Sequence, residues 1–466
     1  MSHQLAQLEV IPNRSDSASS HGCLKPRRTP RSADNAWRVD GQAARRYHRC
    51  LLANRGLSEA AVLTVALGGA NDGYVDASTI DNAWGEAVGS AQSRDPAAVC
   101  LDLSAAHYVE HACLLMLTAI VARRHERGLE TRLKLPRKKS TLDFLRTWKL
   151  LEALAVVTDL DNDDLLAEGE VEFLAQQSEE SPRYVRVTDA GPTGREELLP
   201  VGFFWLTPVV ITDPAVAAHT MRERWLNDHV LSVLDRYLDG DASRIATNVV
   251  YEAVLNAGQH PRATIAFTCS QINERPRPSA LPVKTGEREL VVSIWDDGQS
   301  YAETLTEALD EHGTYASPAW GMGEDTFRVS SKDLRTGKAW NGEIRSSGPL
   351  PPVESESLLT LAAFMLGITR DPFKASDETI YTLEGLSQFL PSESVGFSGL
   401  GLHIIRKTAV DLFRGSLTYM SGRLRLEIAN DDSSAGAYRV AALRRRDTEA
   451  DVKGNLLVVR MRISGD

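Results

Sequence analysis

Three polar side chains spaced four residues apart, Glu252, Asn256 and His260, are of types that could do chemistry together. On a helix they would fall within roughly an 80° arc, interleaved with apolar positions that include Ile245 and Val249. A carboxylate, an amide and an imidazole would then point toward the core. Because buried polar groups cost free energy unless they bind something, this pattern predicts a site for a polar ligand. A solvated helix face could have the same spacing, so the three residues alone leave both interpretations open.

Two later stretches place polar residues or glycines at the end of a regular element. Residues 289–298 alternate like a strand that ends in Asp296, Asp297 and Gly298. Residues 395–402 are rich in glycine and open a new helical pattern. A glycine-rich turn at a helix start is suited to phosphate, because glycine lets the backbone approach the anion and the free N–H groups point toward it. Each stretch is a weak signal by itself, but the three in this order are a strong one.

In this order the three stretches resemble the ATP-binding domain of the GHKL superfamily, which includes DNA gyrase, MutL and the histidine kinases and has the Bergerat nucleotide-binding fold. Glu252, Asn256 and His260 resemble its N box, Glu-x-x-x-Asn-x-x-x-His. The resemblance implies that Asn256 holds Mg²⁺ and that Glu252 orients or deprotonates the attacking water in members that hydrolyse ATP. Asp296-x-Gly298 resembles the first glycine box, whose aspartate accepts a hydrogen bond from the adenine amino group.

The second glycine box of the family is matched by Gly396 and by the run Gly399, Leu400, Gly401 and Leu402. In the family this box closes the lid over the phosphates. The resemblance therefore implies ATP and Mg²⁺ as cofactors.

The region that carries this resemblance, residues 216–466, departs from the family pattern at three points. Ser300 replaces the second glycine of the first box, which indicates a stiffer turn under the base. The two glycine boxes are far apart, so we expect a long lid insertion at about 301–395. Near the last strand Gly454 is followed by Asn455, where the family often has Gly-Thr, so one usual polar contact with the nucleotide is in question.

The preceding residues, 55–160, alternate between strand and helix patterns. An apolar strand at 98–103 is followed by a helix over 112–127. This order resembles a STAS domain, the fold of the anti-sigma-factor antagonists. Signalling STAS domains carry a phosphorylatable serine just before this helix, whereas residues 110–113 here read Glu-His-Ala-Cys. His111 is left as either a phospho-acceptor or a plain helix-start residue.

The fold class predicted from these patterns is α/β. A STAS-like α/β domain would be followed by a Bergerat-fold α/β sandwich, a mixed sheet with helices on one face. Residues 161–215 are acidic and predict a linker with strands. Residues 1–50 contain nine Lys and Arg against four Asp and Glu, and their composition predicts a disordered or loosely docked basic arm.

Composition limits the function classes. A net charge of −11 argues against general binding to nucleic acid or acidic membranes, apart from the weakly basic N-terminal segment. Five scattered cysteines without a C-x-x-C pair predict reduced thiols and no zinc site. The apolar run at 201–211 is too short to span a bilayer. We therefore expect a cytoplasmic protein.

The main hypothesis is a cytoplasmic ATP-binding protein, a slow Mg²⁺-dependent ATPase that works as a nucleotide-controlled switch. Its protein partner would be bound through the STAS-like module or by self-association. The first alternative is a serine protein kinase of the anti-sigma-factor type that acts on a STAS partner. The second is a non-hydrolysing, ATP-gated scaffold in a bacterial signalling or defence assembly.

Overall fold

The computed structural model of the chain forms one compact unit over Ser58–Asp466. The residues it describes are 62–68, 73–90, 98–177, 231, 234–235, 238–259, 262–263, 265–273, 287–333, 337–351, 355–373, 399–431, 437–444 and 452–464. The basic N-terminal arm predicted at 1–50 lies outside them. None of the helices within these ranges is long and apolar enough to cross a membrane.

The described residues form a mixed α/β structure, as the sequence predicts. Its strands are β1 (Leu63–Ala66), β2 (Tyr74–Val75), β3 (Ala98–Asp102), β4 (Tyr108–Val109), β5 (Glu130–Lys134), β6 (Ala266–Asn273), β7 (Glu287–Asp296), β8 (Thr326–Asp333), β9 (Ala339–Arg345), β10 (Ser416–Gly422), β11 (Leu424–Asn430), β12 (Ala437–Arg444) and β13 (Val452–Ser464). Its helices are α1 (Ala77–Ser90), α2 (His111–Glu126), α3 (Lys139–Thr147), α4 (Leu150–Thr158), α5 (Asn162–Leu165), α6 (Glu170–Gln176), α7 (Gly240–Gln259), α8 (Tyr301–His312), α9 (Glu356–Ala362) and α10 (Gly401–Arg406), which continues as a π-helical segment (Lys407–Leu412).

Residues 62–177, here called the N-terminal module, contain a three-stranded parallel sheet in the order β1-β3-β5. On its central strand Val99 and Leu101 are fully buried, whereas Cys100 and Asp102 on the other face are partly exposed, as the alternation of a pleated strand requires. The helix predicted over 112–127 is α2. The acidic stretch predicted as a linker from 161 begins instead with α5 and α6, and Glu170 of α6 accepts hydrogen bonds from the Leu135 N–H (3.0 Å) and from Arg137 (3.1 Å).

An eight-stranded mixed sheet, in the order β6-β7-β13-β10-β11-β12-β8-β9, forms the centre of the rest of the chain. Only the β12–β8 pair is parallel among its described strands. Side chains alternate across it, as a pleated strand requires. On β7, Leu290, Val292 and Ile294 join the core that includes α7 and α10. Val291 and Trp295 join the core of the N-terminal module on the opposite face.

Helix α2 lies between the two sheets and packs against β5 on one side and against β6, β7 and β13 on the other. Every residue from His111 to Ala122 is buried, which is the pattern of a helix covered all round. Just before it, Glu110 forms a buried ion pair with Arg460 of β13, with 2.7 Å between Oε1 and Nη2. The large sheet therefore carries helices on both faces, whereas the resemblance implies helices on one.

His111 begins α2 as a fully buried residue. Its Nε2 lies 3.2 Å from the Ser293 hydroxyl of β7, and its ring stacks on Trp148 with 6.3 Å between centroids. These contacts support the helix-start interpretation of His111, because a phosphoryl donor cannot reach a side chain that is covered on both sides.

The stretch predicted as a lid insertion, 301–395, contributes much of its described part to the core. Strand β8 pairs parallel with β12, and β9 extends the sheet beyond it. Phe327 and Val329 alternate along β8 and are buried, as are Leu358 to Leu366 in and after α9. Residues 374–398 of the predicted lid insertion lie outside the described residues.

Candidate functional site

Helix α7 places Glu252 and Asn256 one turn apart, on the side that meets the start of α10. The carboxylate of Asp239, just before the helix, accepts a hydrogen bond from the Ala242 N–H (2.8 Å) and so caps its first turn. The helix packs on β7 and α10, which fixes the direction of both side chains. His260, the third member of the predicted triad, lies outside the described residues.

Gly401 brings the backbone of α10 against the two polar residues of α7. A Cβ at Gly401 would lie 3.1 Å from both Glu252 Oε2 and Asn256 Nδ2, a tight contact that glycine avoids. The Asn256 Nδ2 atom is buried and has no hydrogen-bond partner among the described residues. A buried donor left unpaired costs about 1–3 kcal/mol. A ligand oxygen at this position would recover that free energy.

The turn before Gly401 is built for a close backbone approach. Gly399 has φ of +84°, and a Cβ there would lie 2.7 Å from the Ile368 carbonyl oxygen, so only glycine fits. Leu400 is buried, and Leu402 packs partly buried against the same core. The two leucines anchor the turn, and the glycines let its backbone pack closely against Ile368 and α7. Gly396 lies outside the described residues.

Asp296 ends β7 on the face of the sheet that carries α7, and only 3% of it is exposed. Its Oδ1 accepts hydrogen bonds from the Gly298 N–H (2.9 Å) and from Asn455 Nδ2 (2.8 Å). The antiparallel register of β7 and β13 sets Asn455 directly opposite Asp296. The sequence marked Asn455 only as a departure; its contact with Asp296 joins residues 159 positions apart, and local pattern gives no signal for it.

Ser300, which stands where the GHKL pattern has a glycine, is the N-cap of α8. Its hydroxyl accepts from the Glu303 N–H (3.1 Å), and the Glu303 carboxylate accepts from the Ser300 N–H (2.8 Å), which forms a capping box. Its φ is −65°, a value that any residue adopts. Glycine is therefore not required here, and serine gives the turn a defined start.

Ser300→Ala is expected to lower the free energy of unfolding by about 1 kcal/mol, because the N-cap hydrogen bond is lost. Ser300→Gly is expected to lower it by only a few tenths of a kcal/mol. Urea unfolding midpoints measure both. Thr306→Ala is the control, since that hydroxyl donates to the Ala302 carbonyl inside the same helix (2.9 Å) and caps nothing. Equal losses at both positions would contradict the capping role.

A buried ionic cluster fixes the C-terminal end of α10 to the residue that precedes β8. Asp325, just before β8, pairs with Arg406 (2.6 Å) and with Lys407 (2.6 Å). The Arg406 guanidinium is fully buried beside the stacked rings of Phe327 and Tyr438, 4.9 and 4.3 Å from their centroids. Burial by itself would raise the pKa of Asp325, but the charges of Arg406 and Lys407 outweigh it and hold that pKa well below its usual range. Local sequence pattern gives no signal for this cluster, because Asp325 and Arg406 are 81 residues apart.

A polar cavity of about 340 Å³ lies beyond the Asp297–Ser300 turn, at the C-terminal end of α2. Its charged side chains pair with one another or with neighbours. Lys453 lies 2.7 Å from Glu126 and 3.6 Å from Asp297, and Arg262 lies 3.0 Å from Glu307. The N-terminal module thus reaches the turn that follows Asp296.

The donor set suits a magnesium–phosphate ligand better than a metal alone. Among the described residues no group of three or more His, Cys, Asp or Glu could hold a metal ion. Mg²⁺ commonly takes only one or two protein ligands, with the phosphates and waters completing its shell. Asn256 could supply an amide oxygen and Glu252 a carboxylate, both beside the glycine turn.

The structure thus brings Glu252, Asn256 and Gly401 together and sets Asp296 on the same side of the sheet. Comparisons with family models, curated proteins and solved structures found no match to this chain.

Proposed function

We propose that this chain is an ATP-binding protein of the GHKL type, a Bergerat-fold domain joined to a STAS-like module, and that it works as a slow Mg²⁺-dependent ATPase switch. The observation that carries the proposal is the approach of the Gly401 backbone to Glu252 and Asn256. That approach sets a glycine-rich turn of the kind suited to phosphate beside a carboxylate and an amide, and the amide nitrogen is buried with no hydrogen-bond partner among the described residues. Asp296, at the strand end on the same side, supports an adenine pocket.

Each side chain has a role that follows from its chemistry. The Asn256 amide offers an oxygen to a metal ion and an N–H to a phosphate oxygen. The Glu252 carboxylate can accept a proton from a water or hold it in line for attack. When bound, Mg²⁺ neutralises phosphate charge. Asp296 accepts a hydrogen bond from an amino group of the base.

The burial of the residues at the start of α2 favours a switch over phosphorylation of the chain's own STAS-like module. Glu110 and His111 stand where signalling STAS domains carry their acceptor, and both are at most 1% exposed. Neither is a serine, and neither is accessible in the folded chain. A kinase that acts on a separate STAS protein, and a scaffold that binds ATP without turnover, are the alternatives that the test below separates.

The test compares Mg·ATP binding by calorimetry with phosphate release for wild type, Glu252→Gln and Asn256→Ala. Glu252→Gln is expected to keep binding and to lose about 100-fold or more in turnover, because the base is removed. Asn256→Ala is expected to weaken Mg·ATP binding by about tenfold or more, because both amide contacts are lost.

Asp241→Asn is the matched control, since it removes a carboxylate from the exposed first turn of the same helix, where 83% of the side chain is accessible. It should change neither quantity. Binding without turnover in wild type would favour the scaffold, or a kinase if a STAS protein becomes phosphorylated. The absence of any nucleotide binding would refute the proposal.

A further inference from the structure

We propose that Asn455, oriented by Tyr419, is a specificity-determining positioning residue. It fixes the Asp296 carboxylate so that this group alone selects a base with an amino donor. The inference deepens the proposed function and rests on it.

Asn455 is committed to internal hydrogen bonds. It is 1% exposed. Its Nδ2 donates to Asp296 Oδ1 (2.8 Å) and to the Gln299 carbonyl (2.7 Å). An amide nitrogen has two hydrogens, so these two bonds use both. Asn455 therefore has no N–H left for a nucleotide, although it stands where the family often has a threonine.

Tyr419 sets which way the Asn455 amide points. The Tyr301 N–H donates to the Tyr419 hydroxyl (3.2 Å), so the single hydroxyl hydrogen is directed away and donates to Asn455 Oδ1. Burial raises the pKa of Tyr419 well above its usual range, so the hydroxyl stays a donor. The ring is held by stacking on Tyr301, with 4.6 Å between centroids. Donors and acceptors thus run in one direction from Tyr301 to Asp296.

The orientation of the Asp296 carboxylate determines which nucleotide base the proposed site prefers. Asp296 Oδ1 receives hydrogen bonds from Gly298 and Asn455, which fix the rotation of the carboxylate. A carboxylate accepts and does not donate when ionised. The site should therefore favour a 6-amino purine over a 6-oxo purine, and the discrimination should depend on Asn455 even though its N–H groups do not reach the base.

The experiment measures dissociation constants for ATP and for inosine triphosphate, which carries a 6-oxo group, without any turnover. Wild type is expected to prefer ATP by about tenfold or more, the value of one hydrogen bond to a charged group. Tyr419→Phe keeps the ring and its stacking but removes the hydroxyl. Asn455→Leu keeps the size but removes the amide. Both are expected to move the ratio toward parity.

Tyr315→Phe is the control, because it removes another buried hydroxyl, one that donates to the Pro351 carbonyl (2.7 Å). It should leave the ratio unchanged. Near-ultraviolet circular dichroism tests whether each variant is folded. If Asn455→Leu does not fold, the nucleotide preference of Tyr419→Phe alone decides whether the inference holds.

The outcomes separate this inference from the proposed function. A wild type that binds ATP and inosine triphosphate equally, or a Tyr419→Phe variant that keeps the full preference, would overturn the role of Asn455 and leave ATP binding intact. A wild type that binds neither nucleotide would overturn both.

Discussion

Gly454→Ala is expected to lower the free energy of unfolding by about 3–5 kcal/mol, the sum of backbone strain and overpacking, and to abolish nucleotide binding. Gly454 has φ of +68°, and a Cβ there would lie only 1.7 Å from the Asp296 carbonyl oxygen and 2.7 Å from the Asp297 Cα. Because both clashes are with backbone, no rotamer change relieves them. The end of β7 must move, and Asp296 moves with it.

Gly337→Ala provides a closely matched control for that variant. Gly337 also has φ of +68°, but no atom lies within 4 Å of where its Cβ would be. This substitution should cost only the strain of a left-handed alanine, about 1–2 kcal/mol, and should leave nucleotide binding unchanged. Urea unfolding and calorimetry measure the two effects. If the two variants lose the same stability, the clash at the end of β7 is not the cause.

Arg406→Met is expected to cost about 3–5 kcal/mol of stability, the usual result of breaking a buried ion pair from one side. The substitution leaves the Asp325 carboxylate buried without the positive charge of Arg406. It also removes the hydrogen bond from Arg406 Nε to the Phe364 carbonyl (2.9 Å). Arg328→Met is the control. That arginine pairs with Asp431 at 2.6 Å but is half exposed, and such pairs contribute at most about 1 kcal/mol.

The same cluster predicts a pH dependence. The pKa of Asp325 is lower in the folded chain than in the unfolded chain. Its pairing therefore contributes fully above the unfolded pKa, about 4, and is lost as the pH falls below that value. Unfolding midpoints between neutral pH and pH 3 should fall less steeply for Asp325→Asn than for wild type. Parallel profiles would show that Asp325 does not stabilise the fold in this way.

Local pattern predicted the parts of the site that lie on single elements. The four-residue spacing of Glu252 and Asn256 indicated a helix, and both lie on α7. The alternation up to Asp296 indicated a strand end, and β7 ends there. Glycines at 399 and 401 indicated a close backbone approach, and at both positions a side chain would crowd its neighbours. Each of these features is decided within about ten residues of chain.

The remaining features depend on pairings between distant residues. Strand β8 lies beside β12, and the partner of Thr326 is Ala437, so part of the stretch predicted as a lid insertion is a sheet strand. The hydrogen bonds from Tyr301 through Tyr419 and Asn455 to Asp296 cross four elements. One sequence signal for the burial of α2 went unused: the unbroken apolar run from Ala112 to Leu117 is the pattern of a helix buried on all sides, whereas only a helix over 112–127 was predicted.

The position of α2 between two sheets determines how this chain can be cut. Removing residues 62–177 would expose Phe267, Trp295 and Met420, which are now at most 1% accessible. A large uncovered apolar surface of this kind promotes aggregation. The half that carries the proposed nucleotide site is therefore expected to be insoluble when expressed alone. The two halves share one buried core, so a mutation that loosens the packing of α2 is expected to lower the stability of both.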